Sequence, residues 1–272
     1  MFLEHVVIPS DYLKHRRTID EVYALIDKDR VAAAEAARLK FRGDVEAAVA
    51  TVSEISAVAG ARIVADSQVV SAKIMIDAEV SATRLLAEAE LRAAECIKET
   101  LNRPHEVIEA MLVEIARSTS THISSAAADS IDAIKRDAEI AIEGLKEAGA
   151  RAIREIQGLA ATVEAQLRID AKAAEERLKT FRERPHTPEE ASAQANDACR
   201  LVTQAAAEGT STLQETLAQS LETISKVTDD ACLVIREAAL SAEKRLVLCE
   251  EQALAQLRDL LHLCRVGGKR DK

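Results

Sequence analysis

Aromatic residues are scarce in this chain: there is no tryptophan, and Phe and Tyr together make 2% of the 272 residues. A compact mixed core leans on such large side chains, so an ordinary globular domain is a poor fit. Glycine (eight) and proline (four) are also rare. Few places therefore exist where a helix would have to stop. Five cysteines (Cys96, Cys199, Cys232, Cys249, Cys264) are an odd number without CxxC spacing, which argues against a disulfide framework or a zinc knuckle. They read as small hydrophobes in a reducing compartment.

Positive charge is in deficit. With 36 Lys and Arg against 46 Asp and Glu, the net charge is −10, which repels phosphate backbones and anionic lipid headgroups. Nucleic acid is excluded as a partner on that ground. The local exceptions are Lys14, Arg16 and Arg17 near the start and Lys269, Arg270 and Lys272 in the last residues, the latter read as a solvated basic tail over 266–272. No run of eighteen apolar residues occurs, and the first thirty residues lack the order of a signal peptide. The expectation is a cytoplasmic protein without a transmembrane segment.

Alanine, by contrast, is about a fifth of the chain, and Leu, Glu, Lys and Arg supply much of the rest, a composition of long helices and coiled coils. The stretch IVADSQVVSAKIMIDAEVSATRLLAEAE (63–90) returns to the same chemistry every eleven residues. Leu25, Ala36, Ala47, Val58, Val69, Val80 and Leu91 form one row. Leu101, Leu112, Ile123, Ile134, Leu145, Ile156, Leu167 and Leu178 form a second, and Ala191, Val202, Leu213, Ile224, Ile235, Leu246 and Leu257 a third.

The rows slip where the prolines are. In ETLNRPHEV, Asn102 suits a helix C-cap and Pro104 can only begin a new helix. In RERPHTPEEAS, Pro185 ends one helix, while Thr187, Pro188 and Glu190 supply an N-cap, a first-turn proline and the acid of a capping box. The box Thr18-Ile19-Asp20-Glu21 is read as the start of the first helix. The sequence thus predicts an all-α chain of three very long helices, 19–101, 104–183 and 188–265, each about 120 Å long at 1.5 Å per residue. Short turns make antiparallel neighbours, hence an up-down-up bundle, with a continuous rod kinked at Pro104 as the alternative. Residues 1–18 lack the repeat and read as a docking segment.

Eleven residues in three turns give 3.67 per turn, so an apolar stripe on this period stays in place with little or slightly right-handed supercoil. Inside each unit the apolar positions step by 3, 4 and 4, as in Val69, Ala72, Ile76, Val80. The three rows are accordingly expected to form the core and the self-association face. Their principal members are Leu25, Val58, Val69, Val80, Leu91, Ile134, Leu145, Ile156, Leu167, Val202, Leu213, Ile224, Ile235, Leu246 and Leu257. Ile63, Ile74, Leu85 and Cys96 form a parallel row in the first helix, so each helix needs more than one neighbour. Asp66, Asp77, Glu88 and Glu99, with Arg62, Lys73 and Arg84 four residues ahead of three of them, read as a solvated charged flank rather than a partner-selecting one.

Chemistry is not visible in the pattern. No Glu-x-x-His pair, phosphate-cradling glycine loop or GxSxG motif is present, and the Asp259/His262/Cys264 cluster is isolated. No catalytic, metal or cofactor site is expected. In its eleven-residue period and Ala/Glu-rich texture, as in LLAEAELRAAECIKE, the chain resembles the right-handed coiled-coil peripheral stalks of rotary ATPases; the resemblance is of texture and implies neither residues nor function. The reading is a non-catalytic structural protein, a self-associating rod that serves as scaffold, spacer or filament subunit, with itself or another helical protein as partner. The alternative is a protein that lies on a lipid surface through its eleven-residue amphipathic repeats. A membrane-bending dimer would want a basic face and a pore-forming toxin a long insertable segment, and neither is evident.

Overall fold

The computed structural model describes residues 10–100, 105–182 and 189–267. They form three long helices packed as a bundle: α1 (Ser10–Thr100), α2 (His105–Arg182) and α3 (Glu189–Gly267). The expected turn residues Asn102, Pro104, Pro185, Thr187 and Pro188 lie outside the described residues, as do 1–9 and 268–272.

One boundary differs from expectation by a wide margin. α1 starts at Ser10 rather than near residue 19, and takes in residues 10–18. The segment SDYLKHRRT contains no Gly or Pro to oppose helix, whereas Pro9 stands immediately before Ser10 in the chain. A Thr-x-x-Glu box can begin a helix, but nothing forbids it in mid-helix when the preceding residues are helix-compatible.

The chain packs as two compact units: Met1–Val58 with Ala152–Thr223, and Ala59–Arg151 with Ile224–Lys272. In the first unit Phe41, Val45 and Ala34 of α1 meet Leu167 and Leu178 of α2 and Ala198 and Val202 of α3 in one buried cluster. Its pairings fix direction. Thr203 and Gln214 of α3 hydrogen-bond Glu175 and Glu164 of α2, so these helices run antiparallel. Val45 packs against Gly209, and Ser56 donates to the Ser220 carbonyl, so α1 and α3 run parallel.

The second unit has the same up-down-up order. Lys73 and His122 reach Asp137 and Glu88, pairing α1 with α2 in opposite directions. Glu79 meets Arg245, and Cys249 donates to the Ala82 carbonyl, pairing α1 with α3 in the same direction. Its buried aliphatics include Ile63, Ile74 and Leu85 of α1, Ile123, Ile134 and Leu145 of α2, and Ile224, Ile235 and Leu246 of α3. Each such side chain taken from water contributes about 1.5–3 kcal/mol. Two close approaches require small residues: a Cβ at Gly209 would lie 2.7 Å from Val45 Cγ2, and one at Gly149 would lie 2.6 Å from Thr228 Oγ1.

Of the expected core residues, Ile134, Leu145, Ile156 and Leu167 of α2 are buried. So are Val202, Leu213, Ile224, Ile235, Leu246 and Leu257 of α3. The α1 row is a correction. Leu25, Val58, Val69, Val80 and Leu91 are not core at all; each is more than 60% exposed. The buried row of α1 is Phe41, Val52, Ile63, Ile74 and Leu85, with Arg30 buried one repeat earlier. The reason is the company each row keeps. Ile63 and Ile74 lie among Gly60, Ser67, Ser71 and Ala78, all small, whereas Val69 and Val80 are each followed four residues on, on the same side, by a base, Lys73 and Arg84, with Asp66 and Asp77 lying between the two rows. Turning the outer row inward would take those charges out of water, at a cost of several kcal/mol per unpaired ion.

Candidate functional site

The residues that α1 leaves outside are the site to consider. Along Ala61–Ala94, steps of 3, 4 and 4 residues bring Ala65, Val69, Ala72, Ile76, Val80 and Leu91 to one side of the helix, and all are exposed. α1 therefore carries two apolar faces. One is covered by α2 and α3, and the other is covered by none of the described residues. Ile76 (61% exposed) lies two residues from Ile74 (3%), so the split between faces is sharp.

Charged rows border the outer face. Arg62 and Arg84 sit on one side, paired along the helix with Asp66 at 3.8 Å and Glu88 at 2.9 Å. Lys73 on the same side pairs across to Asp137 at 3.8 Å rather than with Asp77. Glu79 and Glu90 sit on the other side, Glu79 against Arg245. Glu88 is held below the usual carboxylate range, chiefly by its hydrogen bond from Arg84 and to a lesser degree by the charges of Arg84 and His122. The pairs are largely exposed and each contributes little to stability. The expected charged flank is thus present on α1, but it borders an outward face instead of a buried one. The side chain of Glu99 lies outside those described.

α3 adds a smaller outward patch, Leu233, Leu240 and Leu248, each a little over half exposed. Beside it an open groove of about 550 Å³ between α2 and α3 is lined by Lys135, Ile142, Lys146, Arg236, Leu240 and Glu243. Lys135 hydrogen-bonds Glu243 across it at 2.8 Å, which raises the lysine pKa. Glu139 and Glu143 also line it, so three bases meet three acids and the groove carries no net charge.

Two cysteines are placed as inert groups. Cys232 and Cys249 are buried, and burial pushes both thiols up, away from the thiolate that nucleophilic chemistry needs. Cys199 is half-buried; the side chains of Cys96 and Cys264 lie outside those described. Among the described residues no group of three or more His, Cys, Asp and Glu is placed to hold a metal ion. Within Lys28–Glu95 a helical window is long and apolar enough, by length and composition alone, to cross a bilayer, with 28% of it buried. This is another expression of the same two-faced helix.

The outer stripe was legible as a periodicity but not as an outside. The signal that distinguishes it is the basic row Arg62, Lys73 and Arg84 directly beside it, since the acidic row Asp66, Asp77 and Glu88 lies equally near both stripes.

No known protein-family pattern matches the chain, and no curated protein matches it. Among solved structures, a computationally designed three-helix bundle matches with a TM-score of 0.66 over 89% of this chain and 99% of its own length. At 12% identity that likeness establishes the three-helix bundle fold and nothing about activity.

Proposed function

We propose that the chain is a non-catalytic structural protein: a self-associating coiled-coil subunit that serves as scaffold, spacer or filament element. The single observation that supports the reading is the outer face of α1, where Val58, Val69, Ile76, Val80 and Leu91 stand 61–68% exposed in a helix whose other face is already packed. Apolar residues scattered singly over a surface need no explanation, but a contiguous stripe of them marks an interaction site. Eleven-residue spacing keeps such a stripe on one side over many turns, which suits a long helical partner better than a compact ligand. The expected result is a particle mass of at least two chains by light scattering, with assemblies visible by electron microscopy. A monomer at about 100 μM, where even weak interfaces are populated, sinks the reading.

The bilayer-length apolar window in Lys28–Glu95 favours a second reading, attachment to a lipid surface through the same face. Against it stand the absence of tryptophan and a border that mixes acids with bases instead of a lysine-rich edge. Flotation with vesicles of zwitterionic and of anionic lipid separates the two readings. A structural subunit stays at the bottom of the gradient with both.

A further inference from the structure

We infer that the outer face of α1 in the second unit, Ala61–Ala94, pairs with the same face of a second copy of this chain, the two α1 helices lying parallel and in register. The inference rests on the self-association reading and names its seam and its direction.

Three properties of the face select this occupant. The first is its shape. Val69, Ile76, Val80 and Leu91 alternate with Ala65, Ala72 and Ala87, all exposed, so large side chains stand beside small ones along the stripe. A copy of the same stripe can set its large residues against those gaps and bring the helices close, as knobs enter holes in a coiled coil.

The second is area. Thirty-four residues span about 50 Å of helix. A helix contact about 10 Å wide along that length covers roughly 500 Å² per copy, or roughly 1,000 Å² in all, at the lower bound of specific interfaces. A short peptide would cover only part of it.

The third is charge, and it fixes direction. Taking the middle of the stripe as reference, Lys73 and Arg84 lie about a fifth of a turn to one side and Glu79 and Glu90 about a fifth of a turn to the other. In a parallel pair, opposite flanks of the two helices face each other, so the basic row of each copy meets the acidic row of its partner along both edges. In an antiparallel pair like flanks face, setting Lys73 and Arg84 against the same row of the other copy and Glu79 and Glu90 likewise. The contacts these side chains make within the chain, to Asp137, to the half-buried Glu88 and to Arg245, lie at the surface and are weak enough to be shared with a partner.

The test uses the full chain. Val69→Cys and Val80→Cys are made separately, oxidised, and the linked peptides mapped by mass spectrometry beside the unsubstituted protein, which accounts for the native thiols. A parallel, in-register seam joins residue 69 to its own copy in one variant and residue 80 to its own copy in the other. An antiparallel pair brings at most one of these positions beside itself. A Val69→Lys/Val80→Lys double variant, its changes confined to exposed positions, is expected to keep its helicity by circular dichroism while its mass falls to that of one chain. If only one cysteine variant links to itself, or neither does, or the double lysine variant stays assembled, this inference fails while self-association stands. If the unsubstituted chain is monomeric at about 100 μM, both fail.

Discussion

At the scale of single residues, glycines inside these helices separate into two kinds. An ordinary helical glycine costs about 0.5–1 kcal/mol relative to alanine, because its backbone has more freedom to lose. At Gly144 and Gly158 an added Cβ would meet nothing within 4 Å, whereas at Gly209 it would press on Val45 Cγ2 at 2.7 Å. Val45 cannot readily yield, being buried in the cluster with Phe41 and Leu167. Gly144→Ala and Gly158→Ala should therefore each stabilise by about 0.5–1 kcal/mol. Gly209→Ala should destabilise by about 1–2 kcal/mol, since overpacking outweighs the propensity gain. Urea unfolding of the three variants checks the opposite signs. Equal stabilisation at all three would show that α1 and α3 are not in such close contact at that point.

The single element that departs from expectation is α1. Helices α2 and α3 were legible because each has one continuous aliphatic row, Leu112 to Leu178 and Val202 to Leu257, and a row without a rival has to face inward. In α1 two rows share the same period, and periodicity reports spacing without saying which side is covered. The start of α1 was obscured for a related reason: a capping box at Thr18 is a permissive signal, and Ser10–Arg17 offers no residue that would end a helix. The two rows make a discriminating pair of substitutions. Ile74→Ala removes a side chain that is 3% exposed and should cost about 2–5 kcal/mol, as large-to-small changes in packed cores do. Ile76→Ala, two residues on and 61% exposed, should change the unfolding free energy of the isolated chain by less than about 0.5 kcal/mol. Thermal or urea unfolding at low protein concentration measures the difference. Comparable losses at both positions would mean that the outer face is covered within the chain.

For the whole molecule, carboxylates that tie helices together set how stability follows pH. In the first unit Lys40 donates to Asp170 at 2.6 Å, which lowers the Asp170 pKa and raises that of Lys40. In the second, the Arg84 hydrogen bond lowers Glu88, which also contacts His122 at 3.3 Å across α1 and α2. A carboxyl whose pKa is depressed by folding contributes stability that is fully present above its unfolded value, about 4, and lost as pH falls through the lower folded value. The lysine effect has the opposite direction: it is complete below the unfolded lysine value, about 10.4, and disappears as pH rises through the raised folded one. The stabilities of both units should thus be nearly level from pH 7 to pH 5 and decline below about pH 4.5. As the 46 acidic side chains are neutralised, the net charge of −10 turns strongly positive, and repulsion adds to the same decline. Asp170→Asn separates these contributions. Its carbonyl can still accept a hydrogen bond from Lys40, but without charge, so the variant should lie slightly below the unsubstituted chain at pH 7 and converge on it by pH 2. Because Lys40 is exposed and Asp170 only half-buried, about 0.5 M salt should shrink the gap at pH 7 in part. A gap that persists unchanged at pH 2 would assign the role of Asp170 to packing or hydrogen-bond geometry rather than to its charge.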